Sequence, residues 1–315
     1  MITSGFVDRL RSGDKAVLAR AITIVENNRP QASNILRAIN GDLGSAHVVG
    51  FTGPPGAGKS TLVNAYIKVL RARDKRVAVA AVDPTSPFSG GAILGDRIRM
   101  GEHIGDDGVF VRSLASRGQT GGLSAATARV IDVMDASGAD VIIVETVGAG
   151  QSEVEISDIA DTRIVLNAPG LGDNIQAIKA GILEIGDILV VNKADLPLAE
   201  TTQQQLRAML DLREVRDDEW CVPVLLSQAV NGKGIEELAD AIERHYHDIV
   251  AARGRPDPKA RVRRLIADSA AKLIRQHYLG NPTSALCDLA DAVQRGELDL
   301  DSAAKQLLKM DNQEK

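Results

Sequence analysis

The most chemically legible stretch of the chain is Gly53, Pro54, Pro55, Gly56, Ala57, Gly58, Lys59, Ser60 and Thr61, in that order. The spacing is that of the phosphate-cradling loop G-x-x-x-x-G-K-[ST], and its context is the required one. A β-prone run, His47–Thr52, leads in, and Leu62, Tyr66, Ile67 and Leu70 follow at helical spacing. Glycine lacks a Cβ, so backbone N–H groups of the loop can close on an anion, and the helix terminus adds partial positive charge. Lys59 then reaches the terminal phosphates and Ser60 can hold Mg²⁺. A nucleoside triphosphate is the matching ligand.

Asn192, Lys193 and Asp195 form Asn-Lys-x-Asp at the end of another apolar run, Ile188–Val191. The carboxylate of Asp195 can accept from both guanine N1–H and the 2-amino group. Adenine has no such donor pair and would leave the acid unpaired. GTP and GDP are therefore favoured over adenine nucleotides. Ser227, Gln228 and Ala229 follow the next strand, where a Ser-Ala-type loop would meet the guanine carbonyl.

Between these motifs lie the candidates for sensing the third phosphate. The run 141–144 ends in Glu145, with Gly148 three residues on, the place for a strand-end carboxylate near Mg²⁺ and a glycine N–H facing the γ-phosphate. Glu145 is longer than the usual Asp and suggests contact through a metal-bound water, so Asp83 and Asp96 compete with it for direct coordination. The candidate metal ligands are Ser60, Asp83, Asp96 and Glu145. Segment 83–96 is rich in Pro, Gly and Ser and long for a connection, as a switch loop would be. Segment 169–179 is a second candidate and carries Asp173 and Lys179. No arginine finger is evident near the third phosphate, so slow intrinsic hydrolysis is expected, with Gln151 a candidate to orient the water. The histidines are read as surface or core residues: His245 and His247 are two apart, and His47, His103 and His277 are isolated.

Positioning these residues requires a sheet. Runs 47–52, 76–82, 109–111, 141–144, 164–166, 188–191 and 222–226 are short and apolar and alternate with helical stretches. That pattern predicts an α/β fold, a mostly parallel central sheet flanked by helices. Helical extensions are expected at both ends: residues 1–44, broken at Ser12-Gly13-Asp14, and 253–315, beyond a Pro/Gly linker, with 45–252 as the nucleotide-binding domain between them.

The 315 residues carry 37 Lys+Arg against 42 Asp+Glu, a net charge of −5, with 44% hydrophobic and only 3% aromatic residues. Neither the basic footprint nor the stacking platform of a nucleic-acid binder is present. No apolar run approaches a bilayer span, and the two cysteines, Cys221 and Cys287, have no paired spacing. A cytoplasmic protein without membrane or nucleic-acid partners is expected.

Further motifs carry a resemblance. They are Val82-Asp83-Pro84-Thr85-Ser86, Gly90-Gly91-Ala92-Ile93-Leu94-Gly95-Asp96-Arg97, Arg99-Met100, the run from Val144 through Glu145, Gly148 and Gln151 to Glu153, and Gly172-Asp173. With the nucleotide motifs they resemble the MeaB/ArgK family of methylmalonyl-CoA mutase-associated G proteins, across the core from His47 to Val250. The resemblance implies a P-loop GTPase that gates loading of adenosylcobalamin onto an acyl-CoA mutase and protects or reactivates that mutase, with a homodimer formed through the carboxy-terminal helices. It places Lys59, Ser60, Asp83, Asp96 and Glu145 around phosphate and metal, and Asn192, Lys193 and Asp195 around guanine. It also implies a partner-sensing loop from Gly170, in which Lys179 approaches the nucleotide when the mutase docks. Ala180 departs from the basic residue that relatives can carry there. Two other readings share parts of this pattern: a metallochaperone GTPase of hydrogenase or urease maturation, and an ATPase or kinase linked to basic amino-acid transport.

Overall fold

The computed structural model describes residues 4–83, 101–103, 105–115, 125–146, 156–170, 185–212, 220–252, 258–280 and 283–311. Seven strands form one sheet: β1 (His47–Thr52), β2 (Val77–Asp83), β3 (Val109–Ala115), β4 (Val141–Thr146), β5 (Thr162–Asn167), β6 (Ile188–Val191) and β7 (Val224–Leu226). Their order is β3-β2-β4-β1-β5-β6-β7. Every pairing is parallel, so the carboxyl ends of all seven strands lie along one edge. The strands are apolar on both sides because both faces are covered.

On one face Val49, Phe51, Val79, Ile143, Ile164 and Val190 pack with α4 (Lys59–Ala72) and a later helix, Ile235–His245. On the other, Val48, Ala80, Ile142 and Val144 share a core with three amino-terminal helices and a fourth that follows β3. These are α1 (Ser4–Arg11), α2 (Lys15–Glu26), α3 (Ala32–Ile39) and α5 (Ala125–Ala136). Val165, Leu189 and Val191 pack with α6 (Ala199–Asp211); Ile235–His245 is α7.

The break expected at residues 12–14 is real. Gly13 adopts a φ of +80°, and Asp14 caps α2 by accepting from Ala16 N and Val17 N at 3.0 Å each. Five strands, β2, β3, β4, β5 and β7, differ from their expected bounds. β3 runs on to Ala115, past 109–111, pairing with β2 throughout, and the Arg112 side chain within it pairs with Glu26 at 2.8 Å. β7 starts at Val224, one residue beyond Pro223.

The first crossover carries the chain from β1 past β4 to β2, and after β4 it returns to pair β5 on the other side of β1. The sequence therefore reverses direction at β1. In open α/β sheets such a reversal leaves a crevice at the carboxyl edge where ligands bind.

At the opposite edge, the foot of the sheet, a buried polar chain links four elements. Thr162 Oγ1 lies 2.8 Å from His47 Nε2 and 2.9 Å from His245 Nδ1, and His245 Nε2 lies 3.4 Å from Asp187. Asp187 accepts two hydrogen bonds from the Arg163 guanidinium, at 2.7 and 2.6 Å. Its carbonyl accepts from Trp220 Nε1 at 2.7 Å. Consecutive residues are used here, since Tyr246 lies against the His47 ring with centroids 4.3 Å apart. A π-helical segment, Tyr246–Ala251, follows directly. The sequence reading of His47 and His245 as unconnected core or surface residues missed this chain.

The described chain divides into two compact units, Met1–Asp257 and Pro258–Lys315. The second consists of α8 (Pro258–Gly280), α9 (Ser284–Gln294) and α10 (Leu300–Asp311). Thr283 caps α9 by accepting from Leu286 N at 3.3 Å, and α9 packs on α10. Among the described residues no helix is long and apolar enough to cross a membrane.

Candidate functional site

The loop Gly53–Gly58 turns over the carboxyl end of β1 and delivers the chain to the amino terminus of α4. Two of its glycines are required by the fold. Gly53 has a φ of +140°, and a Cβ there would run into the Leu166 carbonyl of β5. Gly58, at the cap position of α4, has a φ of +88°, and a Cβ would press on the Asn192 side chain. Both allow close backbone approach in conformations L side chains rarely adopt. Pro54 and Pro55 have no N–H, so the donors available to an anion come from Gly56 onward and from the first turn of α4.

Lys59 is buried and curls back onto its own loop. Its ammonium donates to Gly53 O at 2.8 Å and to Pro54 O at 3.0 Å. Ser60, the next residue, donates from Oγ to Glu145 Oε1 at 2.6 Å. Glu145 reaches it because Phe51 of β1 stands beside it in register, one strand away. Both residues are buried. A hydroxyl and a carboxylate meeting at a helix amino terminus form a hard-oxygen set that fits Mg²⁺. Asp83 ends β2, in register with Ala115. Asp96, Gly148, Gln151 and Lys179 lie outside the described residues, as do Asp173 and Ala180.

Around the corner of the loop, Asn192 ties three segments together. Its Nδ2 donates to Ala57 O at 2.9 Å, and its Oδ1 accepts from Ser227 Oγ and Ala229 N, both at 3.1 Å. Lys193 adopts a φ of +57°, and Ala194 N donates to Ser227 O at 2.9 Å. Gln228 N is taken up by Lys233 O at 2.9 Å, which closes the 228–233 turn. A cleft of about 400 Å³ opens beside these loops, lined among others by Thr61, Lys193, Asp195, Leu196, Gln228 and Ala229. Its wall is shared with the phosphate cradle through Gly58.

The structure thus gathers Gly53 to Thr61, Glu145, Asn192, Lys193, Asp195 and Ser227 to Ala229 along one edge of the sheet. Sequence reasoning missed Leu196 and Val230, which give the cleft an apolar wall. It also missed Asn167, a polar residue closing the apolar strand β5. The only sequence signal for Asn167 is the change of polarity at the strand end, one residue after Leu166.

A protein-family model described as "Methylmalonyl Co-A mutase-associated GTPase MeaB" matches residues 18–283. A Pyrococcus horikoshii chain bearing a GTPase name is 45% identical over 309 residues, covering 96% of both chains. GTPase ArgK of Escherichia coli K12 is 39% identical over 243 residues, covering 75% of this chain and 73% of that one. The mouse methylmalonic aciduria type A homolog, mitochondrial, is 35% identical over 268 residues, covering 78% and 65%. Among solved structures, a LAO/AO transport system kinase aligns with a TM-score of 0.75 at 28% identity, covering 99% of both chains.

Proposed function

The chain belongs to the family of methylmalonyl-CoA mutase-associated GTPases, MeaB, and from that premise we propose that it is the GTP-driven chaperone of an adenosylcobalamin-dependent acyl-CoA mutase. In this role GTP binding and hydrolysis gate loading of the cofactor and protect or reactivate the mutase. The observation that carries the reading is the continuity of the base cleft with the phosphate cradle, joined by Asn192, which touches both loops.

Guanine lies against Asp195, and the phosphates lie on the amides that follow Pro55. Lys59 leaves the Gly53 and Pro54 carbonyls and turns its ammonium to the terminal phosphates. Ser60 and Glu145 would hold the magnesium ion, with Asp83 and Asp96 as further candidate carboxylates. When bound, that ion neutralises charge building between the β- and γ-phosphate oxygens. Water attacks the γ-phosphorus, the bond to the β-phosphate oxygen breaks, and GDP and phosphate leave. Gln151 is the candidate to orient the attacking water, and Gly148 the candidate N–H donor to the third phosphate.

Docking of the mutase brings Lys179 toward the nucleotide and speeds hydrolysis. Charge supplied in this way is worth about 10³–10⁵ in rate in other GTPases. The carboxy-terminal helices make the homodimer: α8 leaves Ile266, Leu273 and Leu279 exposed at 63%, 67% and 70%. We place the protein in the cytoplasm.

Two measurements test this. Titration with GDP, a nonhydrolysable GTP analogue and ATP should show guanine preference in the wild type. Asp195→Asn should weaken it about ten- to hundredfold, the worth of one two-point base contact at about 1–3 kcal/mol. ATP preference in the wild type overturns the base assignment. Turnover with and without the cognate mutase should show stimulation that Lys179→Ala abolishes, and equal stimulation of both proteins removes Lys179 from the mechanism.

A further inference from the structure

Asn167 is 5% exposed, yet among the described residues its side-chain Nδ2 has no hydrogen-bond partner. A buried donor left dry costs about 1–3 kcal/mol, so its persistence in a native fold calls for a cause. The amide cannot escape by rotating. Its Oδ1 accepts from Ala168 N at 2.9 Å, and a flipped amide would set N–H against N–H. The donor is therefore held in one direction, away from Ala168.

Its location is the second observation. Val165 of β5 is in register with Thr52, the last residue of β1, so Asn167 stands two residues higher, level with the opening of the phosphate loop. The carbonyl of Leu166, its immediate neighbour, abuts Gly53. The Gly53 and Pro54 carbonyls in turn hold the Lys59 ammonium. The carbonyl of Asn167 accepts from Asn192 N at 2.8 Å, which roots the base loop at the same residue. Two other such atoms, Arg112 Nε and Ser113 Oγ, belong to half-buried residues of the edge strand β3. Asn167 alone among these three is buried at the reversal point beside the cradle.

We propose that Asn167 is a sensor of the terminal phosphate: its Nδ2 donates to an oxygen that only the triphosphate state supplies, on the γ-phosphate or on a water held by it. This rests on the GTPase reading above and assigns that site one more residue. Asn167 then distinguishes GTP from GDP, and in the diphosphate state its donor returns to being unsatisfied.

The test is the ratio of affinities for a nonhydrolysable GTP analogue and for GDP, measured by calorimetric titration on the full chain with Mg²⁺. Asn167→Ala should weaken the analogue roughly tenfold or more, the worth of one hydrogen bond to a charged acceptor. GDP affinity should stay within about threefold. Asn167→Asp, which sets a carboxylate against the phosphate, should weaken the analogue further. Asn167→Ser, a smaller donor that can act through a water, should recover part of the loss and confirms a hydrogen-bonding role even where Asn167→Asp fails to fold. Equal losses for analogue and GDP, or no loss for either, overturn the proposal. Absence of any guanine-nucleotide binding by the wild type overturns the GTPase reading itself, a distinguishable result.

Discussion

At the foot of the sheet, Thr162 receives two imidazoles, Asp187 is met by His245 and by two guanidinium N–H groups, and Trp220 donates to the Asp187 carbonyl. At the carboxyl edge of the same strands, the Lys59 ammonium leans on two carbonyls of its own loop, and Asn167 keeps a dry donor. Both regions are buried and polar, and both bridge β1, β5 and β6. They differ in what completes them. The foot closes on itself among the described residues, whereas the carboxyl edge, on the reading proposed above, is completed by a bound nucleotide. Polar burial stabilises at one end of a strand and prepares for a ligand at the other, and the two should respond differently to substitution.

The largest effect should come from opening the foot. Asp187→Ala leaves the half-buried Arg163 and the buried His245 without their carboxylate, a change of the kind that costs about 3–5 kcal/mol. The thermal midpoint should fall by about 10 °C, while nucleotide affinity of the folded protein stays at the wild-type value. A matching loss of affinity would show that the two ends are not independent. Burial opposes ionisation of Asp187, but hydrogen bonds from His245 and Arg163 outweigh it and hold the carboxyl below the usual carboxylate range. A group depressed in the folded state adds stability that is complete above its unfolded pKa, about 3.9, and is lost as pH falls through the folded value. Unfolding between about pH 5 and 2 should therefore be less pH-dependent in Asp187→Asn than in the wild type, as followed by denaturant titration at each pH.

The two ends also differ in how far they could be read from sequence. The cradle was legible because its chemistry is local: Gly53, Gly58, Lys59 and Ser60 fall within eight positions, and their geometry follows from backbone rules. The strands were legible because parallel strands buried on both faces must be continuous apolar runs, as 188–191 is. Strand ends were less so, since Arg112 and Ser113 look unlike a strand, and the partner of Arg112, Glu26, lies eighty-six positions away. The foot was not legible at all. His47, Thr162, Asp187 and His245 have no spacing in common, and only the strand order makes them neighbours. Asn167 was hidden for a similar reason, because its significance is a partner it lacks, and that cannot be seen without the surrounding burial.

A smaller effect, confined to the carboxyl edge, should come from Gly58→Ala. The left-handed conformation costs a side chain about 1–2 kcal/mol, and the added methyl presses on Asn192 Nδ2. The free protein can relax part of this strain by shifting the loop, and its thermal midpoint should drop only a few degrees. The relaxed loop no longer presents its amides, so GDP and GTP-analogue affinities should fall together by roughly tenfold or more. This common loss is the opposite of the selective loss expected at Asn167, and titration of both variants side by side separates loop geometry from phosphate sensing. Nucleotide binding unchanged in Gly58→Ala would mean the cradle tolerates a side chain where the geometry denies it one.

The smallest effect should come from Asp135, another closed element on the foot side. This buried carboxylate at the end of α5 accepts from the backbone N–H groups of Gly44, Ser45 and Ala46, at 3.2 Å from Ser45 and 2.8 Å from Ala46, and so fixes the entry of the chain into β1. Asp135→Asn keeps one acceptor oxygen and turns an amide N–H₂ toward a backbone donor, losing about one hydrogen bond's worth, roughly 1 kcal/mol. A fall of about 2–4 °C in thermal midpoint is expected. Because β1 runs from this latch straight into the cradle, Asp135 is also the strictest check on independence of the two ends. If β1 is held by its pairing with β4 and β5, nucleotide affinity in Asp135→Asn equals that of the wild type. A drop in affinity larger than the drop in stability would show instead that the foot sets the position of Gly53, and the division between a closed end and a waiting end would have to be redrawn as one continuous lever through β1.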